Sequence, residues 1–539
     1  MAVRAFLNSG KDKVQPPDEN QQLSMVTVVA DMQTQLGEAA LCLFTLFLYA
    51  VGAGYEGETL TVINTVGPLI FSAGLIWGII SLIQRSVNNL WVPLFWYRIA
   101  MLVYFGMGAL VPLYANESAR SMISNFYEFY PNDLLRLNIL LTVFHLLVLF
   151  FSTIIMSIVK GTIKGRNKSA KPLISRSNIG LGACGAIFLV VGGLVNFLII
   201  LPAALGLYDL SILGQFINLS LASLLGYFML TLWSLRNKSG WLPVIIGAAS
   251  LETLLGLLVM SKFVTLFPGV MVGLSFVFYK PTIRRLAIFA SVMLFVFTML
   301  APVIGYARSA GMSAYAGQAN PLEVASIYAS YYSGDMIIDV DKDSQNGWAR
   351  LSYVNVGAFA MNQYDAGHPG DSLKYAPIIW VPRLLYPDKP HVTDIGKEFT
   401  YAINGNYESS TSPGIPAESY WDMGWLGVVV ISAALALIFT LWSFYTYIAI
   451  GCEAWHLFFV VLIGMRTASR LDGGFVVDIL GPLGIAVLAH IVIELLNRFL
   501  PERLVAALGG RRKKSSARKL PPASRGALTT RVPSANPNR

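Results

Sequence analysis

The chain has 539 residues, 55% of them hydrophobic and only 13% charged, and its mean hydropathy is +0.59. Soluble globular chains carry about 25% charged residues, so this composition excludes a water-soluble enzyme and places most of the chain against lipid or other apolar helices. The net charge of +9 sits in short polar connections and in the C-terminal tail, not on a nucleic-acid-binding face.

Residues 1–35 are polar and lack an apolar stretch beside a small-residue cleavage site. They are predicted to be a cytoplasmic N-terminal segment, with the first hydrophobic run kept as a transmembrane helix. A spanning helix needs about 20 apolar residues. Apolar runs at 36–54, 60–83, 90–114, 134–158, 178–205, 209–234, 241–260, 262–279 and 284–306 supply nine predicted spans within 36–306. Runs at 424–448, 453–466 and 475–499 supply three more, so 424–499 holds spans ten to twelve. The eighth run is short and interrupted by Pro268-Gly269, and the eleventh is also short. The predicted fold is an all-α polytopic membrane protein of about 12 transmembrane helices, with one large, mainly helical loop at 307–421.

Lys and Arg mark the cytoplasmic side of short connections. Lys160, Lys164, Arg166, Lys168, Lys171 and Arg176 crowd one connection, and Lys280, Arg284 and Arg285 another, whereas 55–59 holds none. Both termini are therefore predicted inside and the 307–421 loop outside. Residues 500–539 form a basic tail, rich in Ser and Pro and predicted to be disordered on the cytoplasmic side.

Ionisable residues at bilayer depth are functional candidates. Arg98 lies near the inner end of its run and is predicted to snorkel to the surface; Glu494 and Arg498 are predicted wet for the same reason. Glu252, His145, Asp478 and His490 lie deeper but scattered, without the order of a proton relay. Arg466 and Arg470 occupy the short outer connection MRTASRLDGG, against the positive-inside rule. They form either an anion site or, with Asp472, a pair that closes a tight turn.

The large loop shows helical patterns. Asn320-Pro321 opens NPLEVASIYASYY with Pro at a helix-start position, and WARLSYVNVGAFAM puts Trp348, Leu351, Val354 and Ala358 on one face. In LKYAPIIWVPRLLYPDKPH, Pro377, Pro382, Pro387 and Pro390 forbid a continuous helix. That stretch reads as an interfacial segment followed by a rigid turn presenting Arg383, Lys389 and His391. Trp380, Tyr386 and Trp421 can stack on sugar rings or belong to an interfacial aromatic belt. Asp339, Asp341 and Asp343 alternate as in a calcium loop, but Ser344 stands where that loop needs glycine, which favours a solvated acidic turn. Cys42, Cys184 and Cys452 lie in or beside apolar runs, and no H-x-x-x-H spacing occurs, so no metal site is expected.

The stretch from Trp380 to Gly427 resembles the bacterial O-antigen and exopolysaccharide repeat-unit polymerases of the Wzy type. The resemblance rests on VPRLLYPDKP (Pro382, Arg383, Pro387, Lys389, Pro390), on ESSTSPGIP (Thr411, Ser412) and on AESYWDMGWLG (Glu418, Gly424, Gly427). It extends to the plan of 10 to 14 spans with one large outer loop near the C-terminal end. It implies a GT-C-like glycosyltransferase of the bacterial inner membrane, without a cofactor. Such an enzyme transfers a growing glycan from a polyprenyl (undecaprenyl) diphosphate to a lipid-linked repeat unit on the periplasmic side. A chain-length regulator protein is an implied partner.

That reaction needs a base for the acceptor hydroxyl and cations for the departing diphosphate, which arginine meets with a planar fork. Diphosphate is a good leaving group, so a metal is dispensable. The cation candidates are Arg383, Lys389 and Arg466 or Arg470; His391 and Glu418 compete for the base. His391 titrates near neutrality, whereas Glu418 precedes a helix whose dipole favours its charged form. Two other classes stay open: an O-antigen ligase or related lipid-phosphate glycosyltransferase, for which Glu56 and Glu58 are the only first-loop acids, and a lipid-linked oligosaccharide flippase.

Overall fold

The computed structural model describes residues 32–164, 174, 177–204, 217–280, 282–315, 320–335, 349–381, 386, 394–405, 407 and 410–499. All regular structure among these residues is helical. The first nine apolar runs form helices α1 (Met32–Gly52), α2 (Gly57–Arg85), α3 (Pro93–Tyr114), α5 (Pro131–Lys164), α6 (Leu181–Ala203), α7 (Ile217–Asn237), α8 (Leu242–Leu258), α9 (Lys262–Tyr279) and α10 (Ile283–Tyr315). The amphipathic α4 (Glu117–Phe126) lies between α3 and α5. The last three runs form α14 (Ile415–Gly451), α15 (Phe458–Ala468, preceded by a 3-10 turn at Trp455–Leu457) and α16 (Phe475–Phe499).

Ten of these helices are long and apolar enough to cross a membrane; α8 and the Trp455–Ala468 stretch are shorter apolar helices. The short pair is thus the seventh and eleventh. The eighth, α9, runs 18 residues through Pro268, because an internal proline forfeits its own hydrogen bond while the flanking turns persist. Ser261 stops α8 from running into α9: its hydroxyl caps the start of α9 by accepting from the Val264 amide.

Two large cores organise the molecule. One joins α1, α2, α3 and α5 to α14 and to the start of α16; the other joins α6, α7, α8 and α9 to α15, α16 and the end of α14. Helices α6 and α7 meet backbone to backbone. A Cβ on Gly192 would fall 2.0 Å from the Ser223 nitrogen, and one on Gly226 would fall 2.6 Å from the Leu189 nitrogen. Small residues make such approach possible between membrane helices.

Arg98 does not snorkel. It is 2% exposed, and its Nε and Nη2 reach the Glu38 carboxylate at 2.9–3.1 Å. His145 Nε2 lies 3.0 Å from the same carboxylate, and Tyr97 Oη 3.1 Å from His145 Nδ1. The sequence reading placed Arg98 beside the surface because it did not weigh Glu38, 60 residues away, as a partner. Glu494 is likewise buried instead of wet, with His456 Nε2 and Arg498 Nε each 3.0 Å away.

In the loop, α11 (Pro321–Ser333) starts at a reciprocal capping box between Asn320 and Glu323. Helix α12 (Val354–Asp365) buries Val354 and Ala358, with Leu351 in the 3-10 turn before it. After a 3-10 turn at Ser372–Tyr375 only turns follow up to residue 380, in keeping with the proline density. Helix α13 (Asp394–Asn404) had no counterpart in the sequence reading. Trp348, Asp339, Asp341 and Asp343 lie outside the described residues.

Candidate functional site

The site is built where the start of α14 meets the connection between α15 and α16. Gly414 turns the chain at φ 80°, Pro416 sits in the first turn of α14, and the Ile415 amide donates to the Leu471 carbonyl at 3.0 Å. This fastens the exit of the large loop to residues 469–474. Glu418, in the same turn, is 3% exposed. Its Oε2 accepts from the Phe475 amide at 2.6 Å, at the first residue of α16. One turn on, Asp422 Oδ2 accepts from the Ser372 hydroxyl at 2.7 Å. Glu418 and Asp422 lie four residues apart and share one face, which is held against the 372 turn and the 475 turn together.

The neighbouring residues fix the opposite side. The Trp421 indole donates to the His368 carbonyl at 3.1 Å, and its own carbonyl accepts from the Gly370 amide at 3.0 Å. Tyr420 donates to Asp365 at 3.0 Å, and Asp365 is also paired with Arg136 on α5. Helical geometry then breaks at Met423 (φ −145°) and Gly424 (φ 59°, ψ −146°). Only glycine tolerates that second conformation. A Cβ there would also strike the Tyr364 ring at 2.7–2.8 Å.

Arg470 bridges two acids: Nε lies 3.4 Å from Asp472 Oδ1 and Nη2 3.3 Å from Asp478 Oδ1. Asp478 Oδ2 accepts from the Gly474 amide at 3.1 Å, and Tyr353 donates to Asp472 Oδ2 at 3.3 Å. Burial pushes the Asp472 carboxyl above its usual range, with Arg470 pulling the other way. For Arg470, burial works against the charge, but Asp478 and Asp472 hold it above the ordinary value. The Arg470 side chain is still 45% exposed. Its positive charge is shared with Asp472 and Asp478, and one side of the guanidinium stays open.

Of the two readings of this connection, the geometry shows the turn-closing pair: Arg470 meets Asp472, and Asp478 as well. The structure brings Glu418 and Arg470 onto one four-residue stretch, through the Phe475 amide and Asp478 respectively. The Arg466 guanidinium lies 5.5 Å from the Phe263 ring of α9. Trp380 docks on α16: its indole donates to the Leu480 carbonyl at 2.6 Å, and it packs against Gly484. Tyr386 is partly exposed. Arg383, Lys389 and His391 lie outside the described residues.

Asp422, Ser372, Tyr353 and Arg136 were missed by the sequence reading. Asp422 carried a usable signal, since it repeats Glu418 at helical spacing; the others join the site only through tertiary contacts. Among the described residues no three His, Cys, Asp or Glu side chains converge as metal ligands. No protein-family model, curated protein or solved structure matches this chain.

Proposed function

We propose that the protein is a membrane glycosyltransferase that polymerises lipid-linked oligosaccharides, taking a growing glycan from a polyprenyl diphosphate onto a hydroxyl of a new lipid-linked repeat unit. The observation that carries the reading is the half-exposed Arg470, bracketed by Asp472 and Asp478 over the buried Glu418 at one end of an apolar helix bundle. A lipid carrier presents its diphosphate at such an end. We assign this end to the outer side, from the Lys/Arg bias of the short connections.

In the proposed reaction the acceptor hydroxyl loses its proton to a base as its oxygen bonds to the anomeric carbon. The bond from that carbon to the diphosphate oxygen breaks, and the diphosphate leaves with both electrons. His391 is the base, and Arg383, Lys389 and Arg470 neutralise the leaving group. Glu418 serves as the brace that keeps the start of α14 and the 470–478 segment in register. Trp380 and Trp421 offer ring faces at the two margins of the site.

The test is a gel of cell-surface glycan from a strain carrying a single variant as its only copy. Losing one charge-assisted contact to the leaving group costs about 2–4 kcal/mol in the transition state, or roughly 30- to 1000-fold in rate. Arg383→Ala, Arg383→Lys and Arg470→Ala should each replace the polymer ladder with single repeat units. Full ladders from Arg383→Ala and Arg470→Ala at normal protein levels would refute the proposal.

A further inference from the structure

Two carboxyl groups inside the helix bundle are satisfied in opposite ways. Glu38 meets the Arg98 fork and His145, so it sits in an ion pair. Glu252, on α8, is 2% exposed and has only neutral neighbours within hydrogen-bond reach among the described residues. Asn196 Nδ2 lies 2.8 Å from its Oε1 and Ser223 Oγ lies 2.7 Å from the same atom. Its Oε2 has no hydrogen-bond partner among the described residues.

The groups that meet this acid carry no charge. Ser223 Oγ and Asn196 Nδ2 both donate to its Oε1, and neither supplies a counter-charge. Burying an ionised carboxylate without one costs far more than burying the neutral acid. We infer that Glu252, Ser223 and Asn196 form a proton-binding site inside the membrane domain, with Glu252 held as a neutral carboxylic acid whose Oε1 accepts from both neighbours.

Local structure sets this site up. The close approach at Gly192 presses α6 onto Ser223, and Asn196 opens a π-helical stretch, Asn196–Ile200, that starts one turn later. Such π turns recur at functional sites. No side chain that the adjoining elements place here offers compensating charge. Tyr227 of α7 donates to the Ala248 carbonyl, Thr265 of α9 to the Ser261 carbonyl and Tyr328 of α11 to the Leu257 carbonyl. Arg308 of α10 reaches this end of α8 but donates to the Met260 carbonyl, eight residues beyond Glu252. An ionised carboxylate among neutral donors at membrane depth is costly. Loss of the proton is therefore coupled to separation of α6 from α7 and α8.

Infrared spectroscopy of the purified full chain in lipid nanodiscs, at neutral pH without sodium, reads the site directly. Wild type should show a protonated-carboxyl C=O stretch that is lost in Glu252→Gln, which keeps both neutral contacts. Ser223→Ala should shift the same band to higher frequency, because the carboxyl oxygen loses a donor; this arm does not depend on the Gln variant folding. The inference fails if wild type shows a carboxylate band in place of the acid band, or if neither variant alters the acid region. Loss of the band on adding sodium would also overturn it, by showing a metal cation as the resident ligand.

Discussion

Replacing Glu418 separates a brace from a base. Glu418→Gln keeps an acceptor for the Phe475 amide, now 2.6 Å from Oε2, so the hydrogen bond survives and stability changes by about 1 kcal/mol or less. Glu418→Ala strands that buried amide, at about 1–3 kcal/mol, and removes one buried methylene at about 0.8 kcal/mol. The alanine variant should therefore lose about 2–4 kcal/mol of stability. If Glu418 acts as a brace, the Gln variant keeps most of its turnover of a synthetic lipid-linked repeat unit, while the Ala variant loses turnover together with its thermal transition. A base would behave differently, since removing general-base catalysis costs 10²- to 10⁴-fold, typically, in rate. Turnover and thermal unfolding measured on the same detergent-solubilised samples distinguish the two roles. A Gln variant as stable as wild type but slowed about 100-fold or more would refute the bracing role and make Glu418 the base.

Two further outcomes follow from the architecture. Cysteines introduced at Asp371 and Ser516 should respond oppositely to a membrane-impermeant thiol reagent in intact cells, the first labelled and the second spared; the reverse pattern would overturn the assigned orientation. Native Cys42 and Cys184 are buried and add little background. Arg98→Leu should cost about 3–5 kcal/mol by leaving Glu38 without its guanidinium, while Glu38→Met/Arg98→Leu should recover most of that loss. Equal unfolding temperatures for the single and double variants would show that lost packing, not the stranded charge, is responsible.

What the sequence revealed follows from the range of each interaction. Twelve helices were legible because spanning length and apolar composition are properties of contiguous residues. The helix start at Pro321 and the lack of a helix over residues 376–380 are local too, and both were legible. Pairings were not local. Arg98 was assigned to the surface because its partner Glu38 sits on another helix, and the Phe475 amide that receives Glu418 lies 57 residues downstream. Arg470 was half legible: Asp472 stands two residues away, but Asp478 comes into reach only because Gly473 and Gly474 let the chain fold back into α16. The break at Met423–Gly424 falls where the tenth predicted span begins, because the apolar run starts there; the helical residues before it, from Ile415, were not legible.

The brevity of the Trp455–Ala468 stretch has a consequence for the shape of the protein surface. Fourteen residues rise only about 21 Å, against a hydrocarbon core of about 30 Å, whereas the neighbouring α16 is 25 residues long. Every residue of the stretch except Arg466 is buried, so its short rise recesses its own end inside the bundle instead of thinning the bilayer. The charges between Arg466 and Asp478 put that recess at the 469–474 turn. Under the proposed function, a phosphate-bearing lipid would reach Arg470 at the floor of this recess by gliding laterally along the headgroup layer instead of rising into water.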